Sequence, residues 1–408
     1  MKRKIYYFVK KYLSADIIKV IILLIPICVI VYRKVNNDKV DILDTIDISI
    51  IVSFGLVAIC NTIAFVIKKH VDKKTEDFAR LDFNEENLVK QYSLNKLYEY
   101  NGNKFPIILC ANLKNKQLIV EDDCQKEYQT PKIIEDNYSR ILSSYNASVI
   151  YNNRNIRVDD YIDKDNKFIL KTSRTTYFQS LLTNRSCDFL IDKNITTRQI
   201  FEPGPYIKNL CDSKMSNHLG FNGFIITNDN KVPLILRNSN LSIGKRNLAS
   251  TVEASLKVKY SVKENENNDF ILTFNGIANS IINEIKDELG LKKINITNED
   301  VLNNLVCFYR DLVECGKPQL MFILKLNVSS DEIEINLKEK IKKKTKESKV
   351  MRDGKKAIFV DVHDLIADEF DLHSTYVLNK KNNKKYIMMP SSAFSLSMLI
   401  TQLKENNF

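Results

Sequence analysis

The sequence predicts an α/β protein that begins with two membrane-spanning helices, and three observations support this class. Two apolar segments lie near the start of the chain, strand-like and helix-like segments alternate after Phe105, and a helix with an acidic face ends at Gly290. A chain of 408 residues allows two or three domains, and 44% hydrophobic content is enough to build a core. We expect domains at 1–70, 71–214 and 215–408.

The two apolar segments predict a transmembrane hairpin with spans at about 17–33 and 47–67. The second segment is uncharged from Ile48 to Ile67, which is about the 20 residues needed to cross a hydrocarbon core. The first is shorter, and Lys19 and Arg33 would extend it by reaching the two interfaces. The alternatives are a cleaved signal peptide, disfavoured because no small-residue cleavage site follows, and a buried soluble hairpin.

Charges around the hairpin predict its orientation. Lysines and an arginine precede the first span and four lysines follow the second, so the positive-inside rule places both termini in the cytoplasm and the connecting loop outside. Small and polar residues on the second span, among them Ser53, Gly55 and Asn61, favour close helix packing and predict a homo-oligomer.

The remaining composition excludes two classes of site. Part of the net charge of +11 lies beside the apolar segments, so we predict no specific nucleic-acid polymer as a partner. The eight cysteines contain no Cys-x-x-Cys pair, which argues against a zinc site and is typical of small buried residues in a reducing compartment.

The region 71–214 is predicted to be a connector helix followed by an α+β region. The expected elements are a helical connector at His70–Tyr100, strands at Pro106–Cys110, Gln117–Val120 and Ala147–Tyr151, and a helix at Ile133–Ser144. Two polar stretches, Thr175–Asp188 and Asp212–Gly220, are either caps and turns or the lining of a ligand pocket. We interpret His218 as a structural histidine.

Strands dominate the start of the region 215–408. Phe221–Thr227 and Val232–Arg237 predict a hairpin, because a turn of Asn228, Asp229, Asn230 and Lys231 separates them. The expected later elements are strands at Leu248–Tyr260, Gln319–Leu326 and Ala357–Val362, and helices at Ser330–Lys343 and Ser392–Leu403. Asp269–Phe274 leads into the acidic helix.

The acidic helix is the strongest candidate site in the sequence. Glu284, Asp287 and Glu288 are spaced so that a helix places them on one face, where their charges repel each other. A cation would remove this repulsion, and oxygen ligands suit Mg²⁺ or Mn²⁺. Isoleucines and a leucine at every fourth position, Ile277 to Leu289, predict a buried stripe, and Gly290 predicts a C-cap. The alternative is an ordinary solvated face.

This segment resembles the second half of a Nudix box, the motif of enzymes that cleave nucleoside diphosphate derivatives. Glu284, Ile285, Glu288, Gly290 and Leu291 match the motif, and Asp287 replaces a glutamate. The sequence departs from the motif at Asn283, Asn275 and Asp269, which stand in place of its arginine, its upstream glutamate and its leading glycine.

The resemblance implies a Nudix-like α/β/α sandwich over 215–408. It also implies a metal held by Glu284, Asp287 and Glu288, with Glu284 and Glu288 as catalytic residues. Arg237, Lys245 and Arg246 would then pair with the phosphates of a nucleotide, or they are ordinary surface charges. Glu253 is a further ligand or an exposed strand residue.

The order of the predicted domains is similar to that of membrane-anchored Nudix-like effectors of bacterial CBASS antiphage systems. This resemblance implies a cytoplasmic domain that recognises a cyclic nucleotide and a hairpin that then disrupts the lipid bilayer of the bacterial inner membrane. The alternative is a Mg²⁺-dependent hydrolase acting on a nucleoside diphosphate derivative at the membrane. The incomplete motif leaves both open.

Overall fold

The computed structural model describes residues 85–142, 152–192, 195–237, 247–264, 269–342 and 354–406. These residues belong to the second of two compact units, Ala79–Phe408. The helices are α1 (Glu85–Gln91), α2 (Lys132–Asp136), α3 (Tyr138–Leu142), α4 (Tyr177–Leu182), α5 (Thr197–Phe201), α6 (Val258–Ser261), α7 (Phe274–Leu289), α8 (Asn298–Asn303), α9 (Ser330–Lys342), α10 (Val362–Ile366) and α11 (Pro390–Asn406).

The strands of the described ranges follow the same chain order. They are β1 (Glu99–Tyr100), β2 (Asn103–Lys104), β3 (Ile107–Asn112), β4 (Gln117–Glu127), β5 (Arg154–Lys164), β6 (Lys167–Thr176), β7 (Leu190–Asp192), β8 (Ile195–Thr196), β9 (Gly220–Ile226), β10 (Lys231–Arg237), β11 (Leu248–Ala249), β12 (Val252–Ser255), β13 (Val262–Glu264), β14 (Phe270–Leu272), β15 (Leu305–Asp311), β16 (Lys317–Lys325), β17 (Gly354–Asp361), β18 (Phe370–Leu372), β19 (Tyr376–Asn379) and β20 (Lys384–Ile387).

The predicted fold class, a transmembrane hairpin followed by an α+β region and a Nudix-like sandwich, is wrong. The described residues form a mixed α/β body with seven sheets, and within them no helix is long and apolar enough to cross a membrane. The two predicted spans, at about 17–33 and 47–67, lie outside the described residues.

One physical reason for the difference lies in the first predicted hairpin. Its turn forms, because Thr227 N donates to Lys231 O over 2.9 Å. The two strands then separate: β9 pairs with β12 and β16, whereas β10 pairs with β11 and β17. Because β9 is buried at every residue, it needs a strand on each side and a packed layer on each face, which a two-stranded hairpin does not provide.

The central sheet has five strands in the order β12–β9–β16–β15–β3. β9 and β16 run parallel, and the other neighbours are antiparallel. Gly220 at the start of β9 is opposite Ser255 on one side and Gln319 on the other. This register decides which side chains meet at the end of the sheet.

A long helix covers each face of the central sheet. Ile277 and Ile281 of α7 share a core cluster with Phe322 on one face. On the other face, Phe394 of α11 packs in a second cluster with Phe224 and Met321. Side chains alternate between the two faces along each strand, so β9 and β16 are apolar on both.

Several predicted elements are confirmed in kind and place. The helix predicted to end at Gly290 is α7: its stripe from Ile277 to Leu289 is buried, and Gly290 has φ 72° as a left-handed C-cap. The predicted helices after Ser330 and Ser392 correspond to α9 and α11. The predicted strand Leu248–Tyr260 is instead divided into β11, β12 and α6, and Ile133–Ser144 becomes α2 and α3. The strand expected at Ala147–Tyr151 lies outside the described residues.

Candidate functional site

Polar side chains gather at one end of the central sheet, on the face that α11 covers. We call them the strand-end cluster: Asn222, Glu253, Ser255, Tyr309, Asp311, Lys317 and Gln319, together with Arg185, His218, Arg237 and Glu314 around them. Asn222 Nδ2 donates to the Tyr309 hydroxyl over 2.7 Å, which ties β9 to β15 across β16. Further along the same face, Phe224 and Met321 are apolar, so the polar residues are confined to the strand ends.

Two cationic side chains lie next to the carboxylate of Glu314, and a third adds positive charge from further away. Lys317 Nζ lies 3.1 Å from Glu314 Oε2, and Arg185 Nε lies 3.6 Å from the same oxygen. Burial raises the pKa of Glu314, but the charges of Lys317, Arg185 and then Arg237 outweigh burial and lower it overall. Glu314 is therefore an anion held in place by more positive charge than it can neutralise.

The same group contains a carboxyl that is hard to ionise. Asp311 is fully buried, and burial together with the neighbouring Glu314 raises its pKa to about 7. Burial also lowers the pKa of Lys317. With Asp311 protonated, the three cations face the two carboxylates of Glu314 and Glu253, so the cluster carries a net positive charge.

The polar stretches before β9 cover this cluster. Asn184 Nδ2 donates to Glu314 O over 2.9 Å and to Asn217 Oδ1 over 3.2 Å. His218 Nε2 lies 3.0 Å from Ser255 Oγ. Burial, then the charges of Lys317 and Arg185, hold the pKa of His218 well below its usual value, so its imidazole is neutral at pH 7.

Several buried atoms of the cluster and its cover have no hydrogen-bond partner within the described part of the chain, and three of them lie on neutral or neutralised groups. These three are His218 Nδ1, Asn217 Nδ2 and Asp311 Oδ2. An unpaired buried polar atom costs about 1–3 kcal/mol. Such a cost at three neighbouring residues is typical of a site that is built for a partner. Of the two sequence interpretations, the cap is confirmed at Thr176, which caps α4. Asn184 and His218 cover the cluster, and their role as the lining of a ligand pocket stays a prediction.

Arg237 is the one predicted nucleotide-binding residue that the structure describes, and it lies in the cluster. Its Nη1 donates to Glu253, whose other oxygen accepts from Ser392 Oγ of α11 over 2.6 Å. The side chains of Arg237 and Arg185 are 18% and 17% exposed, so the cluster reaches solvent on their side. Lys245 and Arg246 lie outside the described residues.

The acidic face of α7 is arranged around a lysine. The buried carboxylate of Glu284 accepts from Lys257 Nζ, and Glu288 adds to the negative charge around this lysine. Asp287 is exposed. Lys340 of α9 donates to the backbone carbonyls of Asp287 and Glu288. No group of three or more His, Cys, Asp or Glu side chains in the described ranges could hold a metal ion, and the metal role of these acids stays a prediction.

The sequence analysis did not single out Asp311, Glu314 or Lys317, and it included Arg185 only as part of the polar stretch Thr175–Asp188. A signal was present, because Asp311, Glu314 and Lys317 are among the few charged residues in the largely apolar run from Leu305 to Leu326. Charged residues within a buried strand pair need partners, which predicts a polar cluster at that turn.

In comparisons with known proteins, no family model and no curated protein matched this chain. The resemblance to Nudix enzymes and to CBASS effectors therefore stays a prediction.

Proposed function

We propose that the described part of this chain recognises a phosphorylated ligand of the nucleotide class at the strand-end cluster. The proposal is carried by the single carboxylate of Glu314, which pairs with both Lys317 and Arg185 and also feels the positive charge of Arg237. A phosphate offers several charged oxygens, so it can pair with guanidinium and ammonium groups at once, which one carboxylate cannot do. In the bound state, the phosphate takes over part of the role of Glu314.

The sequence left two functions open, recognition of a nucleotide and its hydrolysis. Recognition without hydrolysis is the better supported of the two. Hydrolysis would need a metal on the acidic face of α7. There, Lys257 already neutralises the buried carboxylate of Glu284. A cation entering this face would have to displace a bonded lysine, which makes metal-dependent cleavage the weaker proposal.

The first experiment measures thermal stability of the full chain with cyclic di- and trinucleotides, a nucleoside diphosphate derivative and pyrophosphate. A ligand present at 100 times its Kd stabilises a protein by about 2.7 kcal/mol, so its melting temperature should rise by a few degrees. Lys317→Met should remove this rise, with circular dichroism confirming that the variant folds. Lys325→Met is the matched control, because Lys325 is exposed on the same strand. Equal ligand response in both variants would contradict the proposed site.

The second experiment separates recognition from hydrolysis. We expect no Mg²⁺-dependent release of product from any compound that raises the melting temperature. Turnover that requires Mg²⁺ and is lost in Glu288→Gln would instead establish the hydrolase. The roles in antiviral defence, in an inner membrane and in a homo-oligomer stay predictions from the sequence.

A further inference from the structure

Two cysteines far apart in the sequence are buried together beside the strand-end cluster. Cys187 and Cys315 are both 0% exposed, and they pack with Met215 in a small cluster of their own. Cys315 is close enough to Cys187 to raise the pKa of the Cys187 thiol. Both are reduced.

Arg198 holds the thiol of Cys187 next to the segment that contains Cys315. Its guanidinium donates to Cys187 Sγ over 3.0 Å, to Leu312 O over 2.7 Å and to Val313 O over 2.9 Å. The thiol of Cys187 in turn donates to Val313 O over 3.1 Å. Cys187 follows the short turn Asn184–Ser186, and Cys315 lies in the turn between β15 and β16, so the pair spans from one segment to the other.

We propose that Cys187 and Cys315 are a modification site, at which peroxide-class oxidants form a reversible disulfide. The pair is placed for this bond because both side chains are buried in the same three-residue cluster and the Arg198 guanidinium lies beside one of them. The inference does not depend on the proposed function.

The reaction needs only a peroxide as co-reactant. The Cys187 thiolate, paired with Arg198, attacks one peroxide oxygen; the O–O bond breaks, and the released hydroxide leaves as water with the thiol proton. The Cys315 sulfur then attacks the sulfenic sulfur of Cys187. The S–S bond forms, the S–O bond breaks, and the leaving hydroxide takes the Cys315 proton as a second water. A dithiol reductant reverses the modification.

Burial sets the rate of this reaction. Burial, followed by the neighbouring Cys315, raises the pKa of the Cys187 thiol, whereas Arg198 lowers it. We therefore expect slow oxidation by a small oxidant, after that of the exposed Cys211.

The disulfide would hold the turn that carries the central charges of the cluster. Glu314 directly precedes Cys315, and Lys317 follows two residues later. Joining this turn to the segment after Asn184 removes its freedom to open locally. Oxidation thus restrains the carboxylate next to which two of the cationic side chains lie.

The experiment treats the full chain with hydrogen peroxide and maps disulfide-linked peptides by mass spectrometry without reduction. We expect a peptide pair that contains Cys187 and Cys315 and is lost on treatment with dithiothreitol. Hydrogen exchange of the amides from 311 to 317 should become slower by on the order of tenfold in the oxidised protein. Cys211→Ser should behave like the parent, and Cys187→Ser should form no link and show no slowing.

Two outcomes would overturn the inference. Complete oxidation of Cys211 without any Cys187–Cys315 link in the folded protein would refute the modification site. A link that left exchange at 311–317 unchanged would refute the restraint of the turn. Cys315→Ser provides a second variant, so a folding failure of Cys187→Ser alone would not obscure the result.

Discussion

The buried carboxyl of Asp311 makes the stability of the folded protein depend on pH. Its Oδ1 accepts from Val313 N over 2.9 Å, while its Oδ2 has no hydrogen-bond partner among the described residues. Burial and Glu314 raise its pKa from 3.8 to about 7. The folded protein therefore binds a proton here that the unfolded chain has already released.

This shift predicts a pH-dependent gain in stability from Asp311→Asn. Between pH 4 and 7 the folded state holds more protons at this position, so the contribution of Asp311 to stability falls as pH rises through that range. Asparagine keeps the acceptor for Val313 and has no charge to bury. The free energy of unfolding of the variant, relative to that of the parent, should therefore increase by on the order of 1 kcal/mol or more as pH rises from 5 to 8.

Denaturant unfolding at several pH values measures this difference. His218 is present in both proteins, so its own opposite pH dependence cancels in the comparison. A difference between variant and parent that stays constant with pH would contradict the assigned titration of Asp311.

Lys257 provides a second prediction about a single residue. Its side chain is 24% exposed, and that of its partner Glu284 is 6% exposed. Lys257→Met should lower the free energy of unfolding by about 1–3 kcal/mol, because it leaves the carboxylate of Glu284 buried without its partner. Adding Glu284→Gln to this variant should restore part of the loss. Lys292→Met, at an exposed lysine just after α7, is the control and should change stability by less than about 0.5 kcal/mol.

At the scale of elements, α7 approaches the rest of the fold most closely through a glycine. Gly276 is in the first turn of this helix, and a Cβ there would lie 1.8 Å from the backbone oxygen of Ser261 at the end of α6. Helix propensity alone favours alanine over glycine by about 1 kcal/mol. For a Gly276→Ala substitution, the contact with α6 predicts a loss of stability, whereas helix propensity predicts a gain.

We expect Gly276→Ala to destabilise the protein by about 1–3 kcal/mol, because backbone atoms cannot move aside as a flexible side chain can. Asn275→Ala is the matched control: it changes the same helical turn one residue earlier and should be neutral or slightly stabilising. Equilibrium unfolding of both variants tests the prediction. A stabilised Gly276→Ala variant would show that α6 and α7 are further apart than the structure places them.

The elements also show how far the sequence determines the fold. The helix α7 was predictable because its apolar stripe, its acidic face and Gly290 are local features. The pairing of β9 was not, because its partners β12 and β16 are distant in the sequence and its burial on both faces removes the alternation that identifies an edge hairpin. The long strands β5 and β6 were missed for a related reason, since charged residues along β5 interrupt its apolar pattern.

The candidate site was predictable only in part for the same physical reason. Arg237 was found from its place on a predicted strand. Lys317, Glu314 and Arg185 meet only after β15, β16 and the segment at 184 are brought together, and no local spacing records that contact. The acidic residues of α7 were found easily, yet the lysine that pairs with Glu284 comes from outside the helix.

At the scale of the whole described body, the sheet β4–β6–β5 and the central sheet share one core. Ile156 and Phe168 belong to the same cluster as Phe221 and Phe308, and the rings of Phe168 and Phe308 lie 5.2 Å apart. Backbone hydrogen bonds join them as well, because Ile156 N donates to Leu256 O over 3.0 Å. Each of the two sheets therefore buries part of an apolar face against the other.

This shared core predicts that the two sheets unfold together. Ile156→Ala should lower the free energy of unfolding by about 2–5 kcal/mol and keep a single transition, because it removes a fully buried side chain from the common cluster. Amides of β9 and β16 should lose protection against hydrogen exchange along with those of β5. Ile162→Ala, on the same strand but 38% exposed, is the control and should cost less than about 1 kcal/mol. If Ile156→Ala accelerated exchange in β5 alone, the two sheets would be separate folding units that merely touch.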